Sequence, residues 1–128
     1  MIGYVMVGTN RLQEAIKFYD KVMETLGLIR VSLDDYSAGY ATKHQRSHIE
    51  FYITKPFDGN VATIGNGSMI ALEVESKSQV DLFHATALQS GGFNEGNPGH
   101  RPTENDPYYA YTRDLDGNKI CAYSNEQD

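Results

Sequence analysis

Apolar residues alternate with small or polar ones in GYVMVGT near the start of the chain, a period of two that predicts a strand through Val5 and Val7. The period then lengthens. Leu12, Ile16, Tyr19, Met23 and Leu26 recur at helical spacing behind Asn10 and Gln13, which hold the positions of a capping box, and Gly27 ends the run. The same succession returns 65 residues later, where residues 69–93 overlie residues 4–28. Val5 and Val7 fall on Ile70 and Leu72, Phe18 on Phe83, Met23 on Leu88, and Gly27 on Gly92. Ser76 and Gln79 make the second box, Val80, Phe83, Ala87 and Leu88 the second stripe, and Gly91 with Gly92 the second stop.

Beyond the helices an offset of 71 aligns the remaining parts, placing Tyr40 on Tyr111, Ile49 on Ile120, Glu50 on Cys121 and Tyr52 on Tyr123. The extra residues are assigned to an irregular loop between Phe93 and Tyr109, where GGFNEGNPGHRPTENDP is rich in Gly, Pro and Asn. DLDGN at residues 114–118 predicts a tight hairpin turn, and GNG at residues 65–67 another, because it precedes a strand instead of opening a helix. Each half is thus a strand, a helix and several further strands, with a sheet covered on one face by its helix. A single domain over residues 1–128 follows, with module 1 at about residues 1–58 and module 2 at about residues 66–128.

Alternation assigns the faces. Ile49, Phe51 and Ile53 share one, with Val5, Val7, Ile70, Leu72, Val74, Ile120 and Ala122, and are expected under the helices. Tyr4, Met6, His48, Glu50, Tyr52, Met69, Ala71, Glu73, Lys119, Cys121 and Tyr123 take the other, concave side. The repeat pairs Tyr4 with Met69 and Glu50 with Cys121 as equivalent positions facing one cavity.

The formal charge of −6 repels nucleic acid and anionic membrane, and no Lys/Arg run reverses it, so neither is expected as a partner. One cysteine, Cys121, excludes an internal disulfide. The opening MIGYVMVG lacks a basic signal-peptide region, no segment approaches the ~20 apolar residues of a membrane span, and the cytoplasm is the expected location.

Residues 4–28, with the capped helix EAIKFYDKVMETLGL, resemble the opening module of glyoxalase-like proteins of the vicinal oxygen chelate superfamily, which includes bleomycin-resistance proteins and dioxygenases. GNGSMIALEVES is similar to their middle strand and YYAYTRDLDGNKICAY to their closing hairpin. The resemblance implies an α+β fold of two βαβββ modules in pseudo-twofold repeat, forming a half-open curved sheet around a cavity, and a homodimer. It also implies, in many members, a divalent metal held on the four strands matched here by Tyr4, Glu50, Met69 and Cys121. Only Glu50 among these is a conventional ligand for hard divalent cations, so no metal site and no cofactor are expected.

The reading that follows is a protein binding a small organic ligand in a strand-lined cavity. Glu50, a carboxylate aimed among Tyr4, Tyr52 and Met69, is the candidate general base of a lyase or isomerase, the alternative reading. A sequestering protein of the resistance type, which needs no chemistry, is the third. Candidate ligand-binding residues are Tyr4, His48, Tyr52, Met69 and Cys121 on the strands, Arg101 in the long loop for an anionic group, and Tyr109 and Tyr111 as flat walls. His44, His84 and His100 converge on nothing by spacing, and Cys121 reads as an inert buried thiol.

Overall fold

The computed structural model describes residues 1–102 and 104–128. Two four-stranded sheets each carry one helix. In the first, β1 (Val5–Gly8), α1 (Leu12–Thr25), β2 (Leu28–Leu33), β3 (Ser37–Thr42) and β4 (Phe51–Thr54) give the spatial order β1-β4-β3-β2. In the second, β5 (Ile70–Val74), α2 (Lys77–Gln89), β6 (Phe93–His100), β7 (Tyr108–Arg113) and β8 (Lys119–Ser124) give β5-β8-β7-β6. β1 runs parallel to β4 and β5 parallel to β8, while the other pairs are antiparallel. The curved sheet is not closed, as the two-module α+β reading expects.

One core serves both modules. Phe18, Tyr19, Val22 and Met23 of α1 pack with Tyr40, Phe51 and Ile53 of the first sheet, Phe83 and Ala87 of α2, and Ile120 and Ala122 of the second sheet. Each fully buried aromatic or aliphatic side chain contributes ~1.5–3 kcal/mol over its exposed state. α1 and α2 also pack on each other, so the covered faces of the two sheets are joined through their helices. No helix is long and apolar enough to cross a membrane.

The strand pairings correct the repeat. Val5 pairs with Phe51 and Ile70 with Ile120, so Phe51 stands where Ile120 does, an offset of 69. Tyr52 is therefore the counterpart of Cys121, and Glu50 the counterpart of Lys119. In the middle strands Tyr40 pairs with Phe51 and Thr112 with Ile120, an offset of 72, so Tyr40 and Tyr111 lie on opposite faces. Tyr40 is fully buried beneath the helices and Tyr111 is concave. The cause is that both connections differ in length: β6–β7 is longer than β2–β3, whereas β7–β8 is a tight turn and β3–β4 is not. In that longer β3–β4 connection Ile49 leaves its expected face. It packs with Tyr52 over Gly39, where a Cβ would lie 3.0 Å from both side chains.

The segment expected to be irregular contains the edge strand β6. Its register is broken between Asn94 and Gly96 and between Gly96 and Gly99, and Pro98 sits at an edge, where a missing N–H costs no ladder bond. The first capping box does not form either. Asn10 is drawn instead to the connection between modules, where its side chain accepts from Ala62 N at 2.7 Å and donates to Ala62 O at 3.3 Å, and Arg11 becomes the uncapped N-cap. The second box is present, with Ser76 Oγ accepting from Gln79 N and Ser76 N donating to Gln79 Oε1. Gly27 and Gly91 end the helices at φ 83° and 101°, so Gly91 and not Gly92 is the counterpart of Gly27.

The DLDGN turn forms as expected and does more than reverse the chain. Asp114 is buried and accepts hydrogen bonds from Asp116 N, Asn118 N and Asn118 Nδ2, each at 2.9 Å, and from Tyr19 Oη at 2.5 Å. Asn118 Nδ2 also donates to Gly8 O, and Asn10 N donates to Asp116 Oδ1. Burial raises the Asp114 carboxyl above its ordinary value, while the Tyr19 and Asn118 bonds pull it back down. A carboxyl raised on folding contributes stability below its unfolded range and loses it as pH rises through the folded value. Tyr19→Phe removes one bond that limits the rise, so its destabilisation grows with pH and reaches ~1–3 kcal/mol near neutrality. Urea unfolding of parent and variant at about pH 4 and about pH 7 measures this; an equal deficit at both would show that the carboxylate does not respond to the hydroxyl.

Candidate functional site

With the helices on one side, the concave face of the second sheet is built from alternate residues of β5, β8 and β7. Ala71 pairs with Cys121 and Cys121 with Tyr111, while Glu73 pairs with Tyr123 and Tyr123 with Tyr109. The three tyrosines form a ladder. Tyr109 and Tyr111 are stacked at 5.7 Å with an interplanar angle of 1°, and Tyr109 and Tyr123 at 5.0 Å and 19°. Gly96 lets the rings lie there, since a Cβ at that position would come within 2.7 Å of Tyr111 Cδ2. Tyr123 Oη donates to Glu73 Oε1 at 3.4 Å, and Asn125 Nδ2 donates to Glu73 Oε2 at 3.1 Å.

Two cations meet Tyr111. The Arg101 guanidinium carbon lies 5.2 Å from the ring centroid and Lys119 Nζ 5.4 Å. Arg101 is also committed to its own loop, donating to Gly99 O, His100 O and Asn97 O at 3.1, 3.2 and 2.9 Å. These bonds close the turn after β6 and keep the guanidinium over Tyr111, so part of its donor capacity is used within the chain. Cys121 is fully buried under these groups, and that burial pushes its thiol up to about 12, with Lys119 and Arg101 opposing the rise.

In the first sheet Tyr4 meets Tyr52 edge to face at 5.1 Å. Glu50 lies beside them but is exposed, and among the described residues it forms no ion pair with His48, Lys119 or Arg101. Its carboxylate is therefore open to solvent in the single chain. His48 is exposed in the β3–β4 connection and joins neither cluster. Met69 lines a cavity of about 450 Å³ along the edge of β1, with Met6, Ile64, Ile70 and Lys119. A second, of about 700 Å³, is lined by Met6, Tyr36, Lys55, Pro56 and Phe57 among others.

The expected set thus divides into Tyr4, Glu50 and Tyr52 on one sheet and Arg101, Tyr109, Tyr111 and Cys121 on the other. Lys119 and Tyr123 belong with the second group and were not singled out by sequence, although the period of two places both beside Cys121. Tyr36, Lys55 and Phe57 had no signal, because connections carry no periodicity. His84 lies buried in the place of Tyr19, with Nε2 2.9 Å from Asn94 Oδ1, and His100 is exposed against Asp106.

The strand register also decides the donor set on the four strands to which the resemblance assigns metal ligands. Tyr4, Tyr52, Met69 and Cys121 are the equivalent positions, and Glu50 falls outside them. Two phenols, a thioether and a thiol raised by burial do not suit a hard divalent cation. Among the described residues no group of three His, Cys, Asp or Glu is arranged to hold a metal.

A model of the Glyoxalase/Bleomycin resistance protein/Dioxygenase superfamily matches residues 1–122. The chain belongs to that superfamily. A glyoxalase/bleomycin resistance protein from Albidiferax ferrireducens T118 is 40% identical over 97% of this chain and 98% of its own, with a TM-score of 0.86. A glyoxalase/bleomycin resistance protein/dioxygenase family enzyme from Burkholderia phytofirmans PsJN shares 17% identity at a TM-score of 0.73, over 97% of this chain and 98% of that one. A lactoylglutathione lyase from Agrobacterium tumefaciens shares 19% at 0.67, over 97% and 92%. The last two establish likeness of fold alone. No curated protein matches the chain.

The covered thiol gives a direct test of the concave face. Because Cys121 is buried and its thiol raised, a disulfide reagent at pH 8 should modify the native protein far more slowly than the urea-unfolded chain. Comparable rates in the two states would mean that the tyrosine ladder does not cover it.

Proposed function

We propose that this superfamily member binds a small organic molecule with a flat, unsaturated body on its concave face and does so without a resident metal. The observation that carries the reading is the stacked ladder of Tyr109, Tyr111 and Tyr123, linked through Lys119 to a cavity of about 450 Å³. Stacked rings present faces and edges that favour another π-system, and the cavity size suits a small ligand. The donor chemistry of Tyr4, Tyr52, Met69 and Cys121 supports the absence of a metal. A lyase or isomerase with Glu50 as base remains the alternative, and it requires a ligand or second chain to bury that carboxylate. Sequestration of the resistance type needs only the binding.

A homodimer, in the cytoplasm, completes the proposal. Tyr4, Met6 and Met69 are 58%, 49% and 43% exposed on the concave side, more apolar surface than such a small face normally leaves to water. A second copy would cover it and shield the free edges of β1 and β5.

A thermal-shift screen of planar aromatic compounds should find stabilisers of the parent protein, and Tyr111→Leu should remove the gain; a ligand at about a hundred times its Kd adds about 2.7 kcal/mol. Stabilisation that survives Tyr111→Leu would place the site elsewhere. Elemental analysis of the same preparation should return well under one metal per chain, and light scattering at micromolar concentration should return twice the chain mass. A stoichiometric metal or a monomer would overturn the corresponding part.

A further inference from the structure

Every other cation near the concave face of the second sheet is already committed. Arg113 bonds Glu95 Oε1 at 2.8 Å and Gly117 O at 2.9 Å, and Arg101 bonds three carbonyls of its own loop. Lys119 differs. Among the described residues its ammonium has no hydrogen bond and no ion pair, and its one close partner is the face of Tyr111. It also stands directly opposite Arg113 in the β7–β8 ladder, where two like charges oppose folding. Lys119 is half-buried, and it lines the 450 Å³ cavity while touching the tyrosine ladder, so it alone joins the two. The nearby carboxylates have closer partners, Glu95 in Arg113, with Lys119 only a lesser influence on its carboxyl, and Glu73 in Tyr123 and Asn125.

We infer that Lys119 is the anion-holding residue of this cavity and that the ligand is an organic carboxylate whose planar body lies against Tyr111. The inference rests on the proposed binding role and names the class of molecule. A single uncommitted ammonium matches one negative charge. A phosphate dianion calls for several converging donors, and Arg101, among the described residues the other cation at the ring, already gives three of its five N–H groups to backbone carbonyls. The chain's net charge of −6 further disfavours multiply charged ligands, while a monoanion paired with one lysine at the end of a π-surface gains both charge and stacking. Alternation places Lys119 on the concave side, but its lack of a bonded partner and its equivalence to Glu50 emerge only from the strand register.

The test uses two probes of nearly the same shape, 2-naphthoate and the neutral 2-naphthamide, titrated calorimetrically into the full-length protein. The parent should bind the carboxylate about tenfold more tightly than the amide, and added salt should narrow the gap. Lys119→Met should erase the preference while keeping amide binding, Lys119→Arg should retain it, and Tyr111→Leu should weaken both probes. Melting temperatures of the Lys119 variants no lower than the parent's verify folding, with Lys119→Met raised by relief of the repulsion from Arg113. Equal affinity of the parent for both probes, or a preference that survives Lys119→Met, overturns the anion assignment and leaves the binding reading standing. Failure of both probes to bind the parent at millimolar concentration overturns both together.

Discussion

The buried carboxylate of Asp114 is the constraint on which the arrangement of the two modules depends. It lies in the turn between β7 and β8, yet its donors come from that turn and from Tyr19 in the opposite module. Asn118 extends the link to the end of β1 through Gly8 O, and Asp116 reaches the start of α1 through Asn10 N. Four donors compensate the desolvation of one carboxylate, and removing any of them leaves that buried group short of a partner. Through this turn the end of the last hairpin is tied to α1 and β1, which sets the gap between the β1 and β5 edges and the cavity beside it.

The two modules share a plan and diverge in what they leave on the concave face. In the second, Gly96 in β6 makes room for the Tyr111 ring on β7, and the tight β7–β8 turn brings Lys119 alongside it. In the first, the longer β3–β4 connection folds Ile49 over Gly39, so the corresponding floor is filled by an aliphatic side chain and by Tyr52. The internal symmetry of the fold therefore does not extend to the chemistry. One sheet carries a cationic aromatic platform, and the other an apolar edge with an exposed carboxylate.

That asymmetry separates membership of the superfamily from the metal chemistry of many members. Backbone pairing conserves four equivalent positions on β1, β4, β5 and β8, but phenol, thioether and buried thiol groups occupy them. A fold places sites without dictating what fills them. The side chains here favour stacking and charge pairing over coordination, which is why Tyr111 and Lys119 carry more of the functional argument than Glu50.

Periodicity alone determined the two strand–helix units, the second capping box, the DLDGN turn and the faces of β1, β5 and β8, because these features rest on neighbours two to four residues apart. The shared face of Tyr109 and Tyr111 and the covered thiol of Cys121 were legible as well. The tertiary structure decided the rest. Asn10 abandoned its cap for Ala62, Gly- and Pro-containing β6 paired as an edge strand, and the register moved Glu50 out of equivalence with Cys121. The uncommitted state of Lys119 was likewise invisible, since it depends on which carboxylates other strands bring near. Local pattern fixes which way a side chain points, whereas connection length and hydrogen bonds between distant residues fix what it meets.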